Sequence, residues 1–452
     1  MNAETLETSR WLASFRDSER GGQFVADGEG SLNRERALLA ALDHPQRAYT
    51  ITHVAGTKGK GSTSAMLAAI LHAARLRTGL YTQPHLHTWH ERIRLNEQPI
   101  TEAEALRLLP RLQVALEHID AALGPYLTYE VVTALAFLAF REAQMEQAVI
   151  EVGLGGRLDA TNVVAPAVTV ITSISYDHMA FLGPTLTDIA REKGGITKPS
   201  VPLICSAQAP EALATLSRIA AERGAALLRV GPAGAPGCAY VYQPLAAEPE
   251  RQWVNVQTPT QTYRDLEVRL LGTHQLENAT AAIAAAEQLQ LRGVPIDEAA
   301  IRRGLQAVYW TGRLEVVGRI PWVVIDGAHN ADSFARLFAA LRRHFSFERL
   351  LLVVGVMADK DLAGIVNEIA QVDVAQAYVT LIGHPRSAPP GRLAELLRAQ
   401  APQIDLSIHA SSAAALSAAL AAAGPRDLLC VAGSIALAGE ALRWFHQQSG
   451  IV

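Results

Sequence analysis

The sequence predicts an α/β protein of two domains, the first built on a mostly parallel sheet and the second smaller. Three observations carry this prediction. Between residues 49 and 202, apolar strand-like runs alternate with helix-like stretches, the pattern of strands joined by crossover helices. The stretch "HVAGTKGKGST" at 53–63 packs glycines and lysines between the first of these strands and an Ala-rich helix. After "WTGRLEVVGRIP" at 310–321, which reads as a linker, the alternation starts again.

In order, the apolar runs 49–54, 78–81, 148–152, 168–174 and 202–205 read as strands, and 62–75, 102–122, 129–144 and 186–193 as helices. The Pro/Gly-rich "RVGPAGAPG" at 229–237 leads into a β excursion over 240–271, followed by Ala-rich helices at 277–292 and 297–307. Beyond the linker, strands are predicted at 322–325, 350–356, 376–381, 405–409 and 428–432, with helices in the gaps. The Ala-rich stretch 412–423 reads as a helix rather than a low-complexity tract.

Composition narrows the class. The 452 residues are 49% hydrophobic and 19% charged, enough to bury a sizeable core and too apolar for a disordered chain. A formal charge of −4 argues against a general nucleic-acid binder, though not against one basic pocket. Cys205, Cys238 and Cys430 are odd in number and widely spaced, so neither a disulfide framework nor a zinc site is expected. The N-terminal stretch carries charges throughout, and the apolar run 131–140 is too short to span a bilayer and is flanked by Glu130 and Arg141. A cytoplasmic protein without a membrane partner is the expectation.

Three stretches carry chemistry. The first is Gly56-Thr57-Lys58-Gly59-Lys60-Gly61-Ser62-Thr63. It has two residues, not the usual four, between its first glycine and the Gly-Lys pair. Its parts still suit a phosphate: glycines expose backbone N–H groups, Lys60 supplies a point charge, and Ser62 or Thr63 can cap the helix and ligate Mg²⁺. The plain alternative is a flexible basic loop before a capped helix. The second, "AVIEVGLGGRLDATN" at 148–162, delivers Glu151 at a strand end and presents Arg157 and Asp159 in a glycine turn. In open α/β sheets that edge is where ligands bind. The third, at 173–199, places Asp177-His178 after a strand and Lys193 at a helix end before two glycines. Alone, such a lysine is ordinary helix-end chemistry.

These stretches, with "QPHLHTWHERI", "GTHQLENATAA", "GRLEVV", "DGAHN" and "GVMADKD", resemble the motif series of the folylpolyglutamate synthase and dihydrofolate synthase family. That family belongs with the Mur-type ATP-dependent amino-acid ligases, and the resemblance runs in order from about residue 32 to residue 440. It implies an N-terminal P-loop mononucleotide-binding domain over 1–312 and a smaller Rossmann-like glutamate ligase domain over 313–452. It also implies transfer of the ATP γ-phosphate to a folate or pteroate carboxylate, followed by attack of the L-glutamate amine on the acyl phosphate. A Mur-type ligase for another carboxylate is the alternative within this chemistry. A P-loop kinase or switch and a non-catalytic nucleotide-binding regulator are the alternatives outside it.

Site residues follow from the same resemblance. Gly56, Thr57, Gly59, Lys60, Gly61, Ser62 and Thr63 would hold the ATP phosphates, with Lys60 on the transferred group. Glu151 and His178 would ligate one Mg²⁺ with Ser62. Gln83 stands where the family usually has a serine that helps hold a second ion. Lys193 would carry a CO₂-derived carbamate (N6-carboxylysine), which requires a lysine whose amine is neutral. Asn278 would read the adenine edge, Arg313 the phosphates and Asp326 the ribose side. Tyr129, Glu130, Arg157, His85 and His329 would line the substrate site. Lys58 replaces an asparagine common in the family. No nucleic-acid partner is implied, and a monomer is expected.

Overall fold

A computed structural model describes residues 7–17 and 28–448. The chain forms two compact units. The first comprises residues up to Pro244, Val254–Glu267 and Gln275–Val308; the second comprises Leu245–Trp253, Val268–His274 and Tyr309 onward. A single cut at 312/313 does not describe them, because two short pieces of the 240–271 excursion count with the second unit, whose main body starts at Tyr309.

The strands of the first sheet are β1 (Thr50–Ala55), β2 (Thr78–Tyr81), β3 (Ile93–Leu95), β4 (Gln98–Pro99), β5 (Gln147–Glu151), β6 (Val168–Ile171), β7 (Leu203–Cys205), β8 (Leu227–Pro232), β9 (Tyr240–Glu248), β10 (Arg251–Gln257) and β11 (Thr262–Val268). Their order is β11-β10-β9-β8-β7-β6-β1-β5-β2-β3-β4. The run from β8 to β2 is parallel, and β3 closes it antiparallel. Central β1 sits between β5 and β6, with Val54 opposite both Glu151 and Val170. The loops leaving these three strands therefore emerge side by side at the carboxyl edge.

Helices cover this sheet because their sequences bury whole faces. Thr128–Glu142 is apolar on nearly all sides, and Val131 through Phe140 are all buried. The helix expected at 102–122 is shorter, Glu102–Glu117: Thr101 and Glu104 form a capping box at its start, and it ends at His118. Helices Gly30–Ala41 and Pro210–Glu222 were not foreseen in the sequence. The first has little amphipathic contrast, and two of its buried positions are Arg34 and Glu35. No helix among the described residues is long and apolar enough to cross a membrane.

The second unit holds β12 (Glu315–Arg319), β13 (Trp322–Ile325), β14 (Leu350–Val354), β15 (Val374–Thr380), β16 (Asp405–His409) and β17 (Leu428–Ala432), in the order β12-β13-β17-β14-β15-β16. All neighbours are parallel except β12 and β13. The stretch 310–321 is thus not simply a linker. Gly312, Gly318 and Pro321 give it a loop-like composition, yet Val316 pairs with Val324 across an antiparallel hairpin. Helix Ala331–His344 turns Phe334, Leu337, Phe338 and Leu341 onto the core at i, i+3, i+4 and i+7. Each such side chain stabilises the unit by about 1.5–3 kcal/mol on burial.

Candidate active site

The phosphate-type loop leaves β1 and enters helix Lys60–Ala73. Two glycines are required by its geometry. Gly56 has φ 145°, and a Cβ there would lie 1.8 Å from Thr172 Oγ1. Gly59, the residue before the helix, has φ 87°, and its Cβ would meet Asn278 Oδ1 at 2.4 Å. Neither place tolerates a side chain. The loop is stitched to the segment after β6. Thr57 N donates to Ser173 O (2.7 Å), and the Thr172 hydroxyl donates to Lys58 O (2.7 Å). Thr57 Oγ1 donates to Ser175 O and accepts from Ser175 N, both at 3.1 Å. Lys58 to Gly61 remain only half-buried, at the amino end of the helix, where backbone N–H groups favour an anion.

Around this loop the expected charges gather. Lys60 Nζ lies 4.0 Å from Glu151 Oε1, with both side chains mostly buried. Glu151 Oε2 accepts the backbone N–H of Gln83 at 3.1 Å. Lys193 is 4% exposed, and its ammonium donates to Gly56 O at 2.9 Å. Burial first, and then the positive charge of nearby Lys60, push the Lys193 amine down to about 7; Asp177 opposes this. His178 follows Asp177, which pairs with Lys58 at 2.7 Å. Its own side chain is 40% exposed. Asn278 is buried against the loop, donating to Gln275 Oε1 at 2.9 Å, while Gln275 donates to Ser62 Oγ at 3.3 Å.

A divalent ion fits this donor set. The buried Thr63 Oγ1 has no hydrogen-bond partner, and a hydroxyl and a carboxylate offer the oxygen ligands Mg²⁺ prefers, leaving its other positions to phosphate oxygens and water. Among the described residues no three His, Cys, Asp or Glu side chains group as a metal cage by themselves. Gln83, expected as a metal ligand, also faces Arg92. Its side-chain oxygen accepts from Arg92 Nη1 (3.4 Å), and a guanidinium neighbour repels a cation. What Gln83 supplies here is the backbone N–H that holds Glu151.

Two expected substrate residues are paired within the protein. Glu130 is fully buried and takes a two-pronged contact from Arg34 (2.7 and 2.9 Å) and the N–H of Leu127 (2.9 Å), so its carboxylate has no open face for a ligand. Arg157 is on the surface, bound through Nη2 to Glu192 Oε1 at 2.8 Å and through its N–H to Glu192 O at 2.7 Å. It fastens the glycine turn to the helix end that carries Lys193. Tyr129 does stand at this turn: its hydroxyl donates to Asp159 Oδ1 (2.8 Å) and accepts from Gly153 N (3.2 Å). His85 accepts from Arg92 Nε at 2.9 Å.

Asp159 is the organising residue that received no role in the sequence reading. It accepts the N–H groups of Gly153, Leu154 and Thr161 (3.1, 3.1 and 3.0 Å) besides the Tyr129 hydroxyl. Burial nevertheless raises its carboxyl above the ordinary range. Its sequence signal was its place after a glycine turn. Arg34 had no comparable signal, being 96 residues from its partner.

Arg313, Asp326 and His329 belong to the second unit. Asp326 accepts Leu314 N (2.9 Å) and Ala328 N (2.7 Å), and burial raises its carboxyl while Arg313 opposes the shift. Arg313 Nη1 donates to Gly312 O at 3.0 Å, and His329 Nδ1 meets Gly327 O at 2.9 Å.

Known proteins resemble this chain in sequence and fold. The Mur ligase middle domain matches residues 126–286, and the Mur ligase glutamate ligase domain matches 312–435. A dihydrofolate synthase/folylpolyglutamate synthase of Bacillus subtilis is 38% identical over 344 residues, covering 75% of this chain and 79% of its own length. The structure of Mycobacterium tuberculosis folylpolyglutamate synthase complexed with ADP superposes with a TM-score of 0.88 at 32% identity, covering 98% of both chains. That of Escherichia coli FolC in complex with DHPP and ADP gives 0.85 at 30%, again over 98% of both. With two ligase domains matched and relatives aligned over most of their length, this chain belongs to the folylpolyglutamate synthase/dihydrofolate synthase family of Mur-type ligases.

Proposed function

We propose that the protein joins L-glutamate to the carboxylate of a folate or pteroate, using ATP and passing through an acyl phosphate. The observation that carries this reading is the convergence of Lys60, Glu151 and a buried Lys193 on one glycine loop at the carboxyl edge of β1 and β5. Gly56, Thr57 and Gly59 to Thr63 cradle the phosphates, with Lys60 on the group being transferred, where fixed positive charge stabilises the transition state. Glu151, His178 and the Ser62/Thr63 hydroxyls hold Mg²⁺, which supplies charge neutralisation on the phosphate oxygens. Lys193, kept neutral for much of the time by burial, takes up CO₂ as a carbamate, placing an anion where the free side chain is a cation. Asn278 contacts the adenine edge, Arg313 the phosphates and Asp326 the ribose side, and His329 is a substrate residue. Tyr129 and His85 border the pterin side. In this reading the first unit binds ATP and the second, whose main body starts at Tyr309, forms the glutamate ligase domain.

The test is glutamate-dependent ADP release by the purified protein with dihydropteroate and, separately, with tetrahydrofolate. Release with either substrate supports the ligase and tells the two activities apart. ADP release that ignores glutamate sinks the reading in favour of a kinase or switch.

A further inference from the structure

Lys58 lies inside the glycine-rich loop, two residues before Lys60, yet its ammonium is committed elsewhere. Nζ stands 2.7 Å from Asp177 Oδ2, with both side chains mostly buried. The other oxygen of Asp177 accepts the backbone N–H of His178 at 3.1 Å. His178 holds φ 50°, ψ 37°, in the left-handed region that a residue with a Cβ adopts at a cost. One carboxylate thus links the loop's ammonium to the amide of a residue held in an uncommon backbone conformation. The main chain is already stitched from Thr57 and Lys58 as far as Ser175. The Lys58–Asp177 pair carries that stitching two residues further, to the turn that presents the imidazole.

We propose that Lys58 is a positioning residue: through Asp177 it ties the phosphate loop to the backbone of His178 and so fixes the imidazole relative to the phosphates. This rests on the ligase reading, in which His178 serves the metal side of the site. An ammonium paired in this way acts on turnover rather than on nucleotide affinity, which separates it from a phosphate-binding cation.

The experiment compares Lys58→Ala, Lys58→Arg, Asp177→Asn and the double variant Lys58→Ala/Asp177→Asn. Turnover is read by glutamate-dependent ADP release, and ADP affinity by calorimetry without metal ions. Lys58→Ala and Asp177→Asn should each lower kcat about tenfold, and the double variant should fall no further. KM for ATP and the metal-free Kd for ADP should change by no more than about twofold, and Lys58→Arg should keep most of the turnover. The idea is overturned if Lys58→Ala weakens metal-free ADP binding about tenfold with turnover intact, or if the two single losses multiply in the double variant. Wild-type protein without glutamate-dependent release would overturn the ligase reading but not the tie. Hydrogen exchange then decides: amides 174–178 should exchange faster in Lys58→Ala and not in Lys58→Arg, and equal rates in both would refute it.

Discussion

Replacing Lys193 by arginine tests the carbamate most sharply, because the two side chains share a charge and differ in whether that charge can be given up. An ordinary lysine near 10.5 is neutral for only about 0.1% of the time at pH 7.5, whereas an amine pushed down to about 7 is neutral for about 75%. That is a gain on the order of several hundredfold in the species that can attack CO₂, and it arises from burial and from Lys60. Arginine stays protonated at any accessible pH and cannot form the carbamate. Lys193→Arg and Lys193→Ala should therefore both lose turnover by at least about a hundredfold. Millimolar acetate or formate should restore part of it to the alanine variant by replacing the missing anion. The assay is glutamate-dependent ADP release, run in buffer equilibrated with bicarbonate and in buffer stripped of CO₂. Stripped wild-type enzyme should lose activity and regain it on adding bicarbonate, with the recovery slowing as pH falls through about 7 and the amine becomes protonated. A fully active Lys193→Arg enzyme, or a wild type indifferent to CO₂, would refute the reasoning.

Four further outcomes follow from the geometry. Lys60→Ala should reduce turnover by about two to four orders of magnitude with an unchanged thermal midpoint, since its charge serves phosphoryl transfer and not packing; circular dichroism and ADP release together check this. Gly56→Ala should abolish nucleotide binding, because the new Cβ would sit 1.8 Å from Thr172 Oγ1 at a φ of 145°; calorimetry with ADP reads it. Arg34→Ala should destabilise the protein by about 3–5 kcal/mol by stranding the buried Glu130 carboxylate, measured by urea unfolding; a changed KM for pteroate at unchanged stability would instead return Glu130 to the substrate site. Glu35 is fully buried with neither carboxylate oxygen partnered, and burial raises its carboxyl well above 4.5. From 4.5 upward the folded state therefore holds a proton that the unfolded state has lost, so this group makes stability fall as pH rises toward its folded value. Glu35→Gln should remove that contribution and gain about 1–3 kcal/mol at neutral pH, with the gain shrinking toward pH 4.5; unfolding curves across this pH range show it or fail to.

The sequence alone predicted the alternating α/β organisation, the restart near residue 322 and the glycine loop at 53–63, and its motif series singled out Lys60, Glu151, His178 and Lys193 as expected site positions. These are legible because each depends on neighbours in the chain: apolar runs set strands, glycine clusters mark a tight anion-binding turn, and motif order runs along the polymer. Only the tertiary structure decided what each group touches. Glu130 and Arg157, expected as ligand contacts, are paired with Arg34 and Glu192, partners 96 and 35 residues away. The glycines and proline of 310–321 suggested a linker, while pairing with β13 made Glu315–Arg319 a strand. Lys193 reads as an ordinary helix-end lysine until burial beside Lys60 lowers its amine to about 7. Pattern and propensity are local, so the chain order carries them; burial, ion pairing and proton affinity depend on distances across the fold, which no stretch of sequence contains.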